Sequence, residues 1–81
     1  MKHELFTEVV LKNDIPEKGL KKGDVATVVE RHPATGDEEG YSLEIFNALG
    51  DTIAVIIVGA SQIEPLTKDE VFSVRSLATG S

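Results

Sequence analysis

Tyr41-Ser42-Leu43-Glu44-Ile45-Phe46-Asn47-Ala48-Leu49-Gly50-Asp51-Thr52-Ile53-Ala54-Val55-Ile56-Ile57-Val58 is the stretch on which the fold turns. Its first third alternates, with Tyr41, Leu43 and Ile45 on one side and Ser42 and Glu44 on the other, the period of a half-buried strand. Asn47 to Asp51 carries turn residues with a glycine near the end, which joins this strand to the next as a hairpin. The run 52–58 is apolar on both alternating faces, the pattern of a strand covered on both sides. A hydrophobic helix over 52–60 is the competing reading, and the β-branched content disfavours it.

Working outward, the same signals recur. Residues 5–11 are β-branched and end at Asn13-Asp14, a strand closed by turn chemistry. Pro16, Gly19 and Gly23 then make residues 13–24 a long loop, whose apolar Ile15 and Leu20 are expected to tuck over one end of a core. Gly23-Asp24 leads into Val25-Ala26-Thr27-Val28-Val29-Glu30, a second strand. Residues 31–40 hold Pro33, Gly36, Asp37, Glu38, Glu39 and Gly40, an acidic connection expected to be the most exposed loop. Gly59-Ala60-Ser61-Gln62 reads as a tight or single helical turn, and Ile63-Glu64-Pro65-Leu66 as a short last strand with Pro65 at an edge or an end. Thr67-Lys68-Asp69-Glu70 has capping-box spacing, yet Val71 and Val74 are weak helix formers, and the extended alternative is preferred for 67–75. The reading is therefore all-β with five strands, one domain over residues 1–75 and a frayed tail over 76–81.

Composition narrows the function classes. Eighty-one residues, 41% hydrophobic, give a modest core without any cysteine to staple it, so association with another chain is the expected aid to stability. No thiolate nucleophile, zinc ribbon or iron–sulfur site is possible without cysteine. The net charge of −6 opposes binding to nucleic acid or anionic lipid. Neither a signal-like segment at 1–7 nor a run of about 20 apolar residues is present, so a soluble, cytoplasmic protein with no membrane partner is expected.

The order Val9-Val10-Leu11, then Ile15-Pro16-Glu17-Lys18-Gly19-Leu20-Lys21-Lys22-Gly23-Asp24-Val25-Ala26-Thr27-Val28-Val29-Glu30, then Tyr41-Ser42-Leu43-Glu44-Ile45-Phe46, then Ala60-Ser61-Gln62-Ile63 resembles the bacterial family catalogued as domain of unknown function 4926. The resemblance runs over residues 5–75 and is most specific from Pro16 to Glu30. It implies a small five-stranded SH3-like barrel, and Ala26 stands where that pattern has glycine. A Gly-Asp turn before a β-branched strand also looks like the start of SH3-like barrels in ribosome-associated domains and nitrile hydratase β subunits. The family name assigns no activity, and no functional residue is carried over from it.

The chemistry-bearing residues do not assemble by spacing. His3 and His32 lack a third nearby ligand and are expected at the surface. Asp37-Glu38-Glu39 lacks the alternation of a calcium loop and reads as a solvated tip. Glu30 and Glu44 on adjacent strands lack a pocket to shift a pKa. Ser42, Ser61 and Thr27 have no adjacent base in sequence, and the glycines form no phosphate loop. No catalytic, cofactor or metal residue is assigned, and core placement accounts for most aromatics.

What remains is the doubly apolar strand. One barrel has one inside, so the second face of 52–58 needs a cover: a second copy, another protein, or a terminal segment. The outward set is either Ile53, Val55 and Ile57 or Thr52, Ala54, Ile56 and Val58. The first set is bulkier and is assigned to the interior, which leaves Phe46, Thr52, Ala54, Ile56 and Val58 as the expected interface. The function expected is a non-enzymatic interaction or self-assembly module, with an antitoxin, immunity or enzyme-accessory protein as the alternative.

Overall fold

The structure is a computed structural model and describes residues 3–34, 36–72 and 74–76. Five strands form one antiparallel sheet: β1 (Glu8–Leu11), β2 (Val25–His32), β3 (Gly40–Phe46), β4 (Thr52–Gly59) and β5 (Ile63–Pro65), in the order β4-β3-β2-β1-β5. The expected all-β class and strand number hold. β2 is shared, pairing with β1 through Val25, Ala26 and Thr27 and with β3 from Thr27 onward. Among the described residues no pairing between β4 and β5 closes the sheet into a hydrogen-bonded ring.

The first strand starts later than the pattern at 5–11 predicts. Phe6 sits at φ 61, a left-handed conformation rare for a bulky residue, and the chain kinks there before Glu8. The loop from 13 to 24 is well tied. Pro16–Lys18 forms a 3-10 turn whose end, Gly19, takes φ 71 and donates its N–H to the Pro16 carbonyl at 3.0 Å. Glycine is the residue that enters this region without steric cost. Ile15 bridges Leu20, which is fully buried, and Ile15 packs against the core, as the sequence reading expects.

The core gathers the inward positions of every strand: Val9 and Leu11, Ala26 and Val28, Tyr41, Leu43 and Ile45, Ile56 and Val58, then Ile63, closed off by Leu20 and Ala60. Ala26 is itself buried in this cluster, so a methyl group is accommodated there. β4 passes through the 3-10 turn Ala60–Gln62 into β5, matching the single helical turn predicted for this segment.

His3 is a correction to the sequence reading, which placed it at the surface. It is buried, its ring edge-on to Tyr41 with centroids 5.2 Å apart. Its backbone N–H donates to the Tyr41 hydroxyl at 3.1 Å, and the Tyr41 O–H donates to Glu39 Oε2. A histidine ring at right angles to a phenol ring, with its amide satisfied, closes this side of a small core.

The capping-box spacing at Thr67 also resolves differently. The Thr67 N–H donates to Glu70 Oε1 at 2.7 Å and the Glu70 N–H to the Thr67 carbonyl at 3.1 Å, which makes a turn without a helix behind it. The described residues after it are neither helix nor ladder strand. Residues 77–81, expected as a frayed tail, lie outside the described residues.

Candidate interaction surface

The β3–β4 hairpin decides which side chains face outward. From the far end its register runs Tyr41 opposite Val58, Leu43 opposite Ile56 and Ile45 opposite Ala54, then shifts so that Phe46 stands opposite Thr52. Residues opposite one another share a face. Tyr41, Leu43 and Ile45 point into the core, so Val58, Ile56 and Ala54 do as well.

This overturns the expected interface. Ile56 and Val58 are core residues and Ala54 is half-buried, while Ile53, Val55 and Ile57 form the outward stripe. The cause is a single irregularity between Ile45 and Phe46. Carried without it from the Phe46–Thr52 pair, the register would set Ile45 opposite Ile53, Leu43 opposite Val55 and Tyr41 opposite Ile57. That is the arrangement inferred from bulk. One extra residue on β4 exchanges its two faces, because the side-chain period is two. Thr52 stays exposed beside the turn, and Phe46 keeps its expected place on the surface.

The stripe is substantial for so small a chain: Ile53 is 38% exposed, Val55 54% and Ile57 70%, with Phe46 at 42%. It lies on an edge strand, since β4 pairs with β3 alone. The other edge, β5, is three residues long and ends in Pro65, two devices that blunt unwanted pairing. β4 has neither device. Its eight residues hold no charge and no proline.

On the β3 side the stripe is bordered by polar groups. Val55 lies opposite Glu44, which lies opposite Thr27; Ile57 lies opposite Ser42, which lies opposite Glu30. Sequence spacing gives Ser42 no neighbouring base, but the register brings His32 Nε2 to 2.7 Å from Ser42 Oγ. Glu30 Oε1 approaches the same Nε2 at 3.8 Å. A nucleophile–base pair needs its carboxylate on the other ring nitrogen, orienting the imidazole. Here the imidazole bridges two strands, as a cross-strand tie.

The acidic loop is likewise engaged rather than a free tip. Glu38 accepts from the Ser61 N–H at 2.7 Å and from Ser61 Oγ at 3.1 Å, and Glu39 pairs with Arg31 at 3.2 Å. Among the described residues no group of three or more His, Asp or Glu side chains converges as a metal site. No helix among them is long and apolar enough to cross a membrane.

A second apolar feature runs from Leu66 to Ser76. After the Thr67 turn the chain forms one wall of a groove of about 710 Å³, whose other wall includes Val10, Val25, Phe46 and Ile53. The strap ends in a clasp. Arg75 Nε donates to Asp24 Oδ1 at 2.9 Å, its terminal nitrogen donates to Asp24 Oδ2, and the same nitrogen reaches the Gly19 carbonyl at 3.3 Å. The hydrogen bond to Asp24 raises the Arg75 pKa above its ordinary value. A raised basic pKa means that the guanidinium keeps its charge until pH rises through that value. That value lies above any ordinary working pH.

No curated protein matches this chain, and neither does any solved structure. A family model does: that of Domain of unknown function (DUF4926) matches residues 5–65. The chain belongs to that family. The match closes at Pro65, where β5 ends, so the strap and its Arg75 lie beyond the matched stretch, whereas Asp24 and Gly19 lie within it.

Proposed function

We propose that this member of the DUF4926 family is a non-enzymatic self-assembly module, in which two copies meet through the outward stripe of β4. The observation that carries the reading is the stripe itself: Ile53, Val55 and Ile57, exposed on a long, charge-free edge strand. Its side chains stand off the face of the sheet, so pairing two β4 edges would leave them in water. Face-to-face contact buries them, at the ordinary spacing of two stacked sheets.

The magnitudes fit a reversible dimer. Fully burying each isoleucine or valine stabilises by about 1.5–3 kcal/mol, and a two-fold contact brings six of them together. Association costs roughly 4–15 kcal/mol in lost freedom. The two are comparable, so the dimer should dissociate on dilution. A stripe without charge is also self-complementary, whereas most of the surface of an acidic chain repels its own copies. A cysteine-free chain needs no oxidising compartment, and we place the module in the cytoplasm.

Light scattering of the full chain across a dilution series tests the reading. A mass near twice 8.7 kDa that falls toward 8.7 kDa on dilution is expected. Ile57→Lys should give the monomer mass at every concentration, with the thermal midpoint that the wild-type chain shows at its highest dilution. A wild-type chain that is monomeric throughout overturns self-assembly.

A further inference from the structure

The clasp is a built seat for a guanidinium group, and the loop holds it independently of the strap. Asp24 Oδ2 accepts the Lys21 N–H at 2.8 Å, the Asp24 N–H donates to the Lys21 carbonyl at 3.0 Å, and Asp14 Oδ1 accepts the Lys22 N–H at 2.8 Å. Gly19, which offers its carbonyl, is fixed by the 3-10 turn before it. A planar guanidinium meeting both oxygens of one carboxylate is a directional contact, and lysine does not reproduce it.

The strap, by contrast, is poorly held. The Leu66 N–H donates to the Glu8 carbonyl at 3.4 Å, and the described hydrogen bonds of residues 67–74 stay within the Thr67 turn. Its apolar side chains face solvent: Val71 is 91% exposed, Phe72 66% and Val74 96%. Folded back on its own sheet, the strap satisfies Arg75 and leaves three apolar groups uncovered.

We propose that residues 66–76 are an exchangeable arm, with Arg75 of one copy seating on Asp24 and the Gly19 carbonyl of a second copy. Exchange keeps every contact of the clasp, because seat and guanidinium are identical in the two copies. It adds burial of Val71, Phe72 and Val74 against the neighbouring surface. The reach is sufficient: the nine Cα-to-Cα steps from Leu66 to Arg75 extend to about 30 Å, against a molecular width of 29 Å. The occupant is therefore a named segment of the same chain, and each protomer completes the other's seat. This inference rests on the self-assembly reading, and its test separates the two.

Two charge-reversed chains decide it. Arg75→Glu sets a second carboxylate against Asp24 in its own chain, and Asp24→Arg sets a second guanidinium against Arg75. Mixed in equal amounts, the two variants form complementary pairs only between unlike chains, the pairs within a chain and between like chains being repulsive. Native mass spectrometry should show a mixed dimer displacing both homodimers, with protease cleavage of the arm suppressed in the mixture and fast in each variant alone. Should the mixture form no excess of mixed dimer and its arm remain cleavable, the clasp closes within one chain and the exchange is overturned. If Asp24→Arg fails to fold, single Asp24→Cys and Arg75→Cys chains replace the pair. The wild-type sequence has no cysteine, so a short thiol cross-linker should join the two different chains. Absence of that cross-link overturns the exchange equally. A dimer that Ile57→Lys abolishes while neither mixture pairs leaves the stripe reading standing without the arm; loss of all dimers in wild type removes both.

Discussion

Tyr41 shows how much a single hydroxyl does in a core this small. Fully buried, it receives the His3 N–H and donates to Glu39, so the end of the core, the segment before β1 and the acidic loop meet at one oxygen. Tyr41→Phe keeps the ring but leaves a buried amide without its acceptor. A loss of about 1–3 kcal/mol in urea unfolding is expected. Gly50 is a backbone case: at φ 89, with open space where a side chain would start, it has room for a methyl group but not the conformation. Gly50→Ala should therefore destabilise by about 1–2 kcal/mol through strain alone, read as a lower urea midpoint with an unchanged slope. The inward set Tyr41, Leu43 and Ile45 was legible in the sequence, because alternation against Ser42 and Glu44 marks it. His3 and the Ser42–His32 tie were not. Both depend on contacts across 38 and 10 positions, which no local pattern carries.

At the level of elements, all five strands and the 3-10 turn before β5 could be read from β-branched runs and turn residues. The face of β4 could not. A strand apolar on both sides contains no alternation to orient it, so its orientation rests on the register of the hairpin, and one irregular residue reverses that register. Adjacent residues test the outcome. Ile56→Ala should cost about 2–5 kcal/mol, as a truncation in the core does. Ile57→Ala, in the monomer at high dilution, should stay within about 0.5 kcal/mol of wild type. Equal losses at the two positions would contradict the register described above. The tail departs from the extended strand expected for 67–75 in that its described residues join no ladder, and the capping box closes a turn without propagating a helix because the residues after it bury no apolar face.

For the molecule as a whole, charge and apolar surface pull in opposite directions. Each copy carries −6, with Glu44 and Glu30 on the strands beside β4, and two copies repel at long range. Added salt shortens that repulsion and leaves stripe burial intact. Sedimentation at rising sodium chloride should show tighter dimers, by contrast with an interface made of ion pairs, which salt would loosen. The family resemblance implied five strands but not their order, which depends on the pairing of the first strand with the last. That pairing also has a temporal side. β1 lies between β2 and β5, with Val9, Val10 and Leu11 opposite Pro65, Glu64 and Ile63. During synthesis the first strand therefore waits for nearly the whole domain to leave the ribosome before its second neighbour exists. A chain stalled before Ile63 would present β1 as a raw apolar edge, so the β1 side of the sheet gains its protection from misassociation only with the last strand.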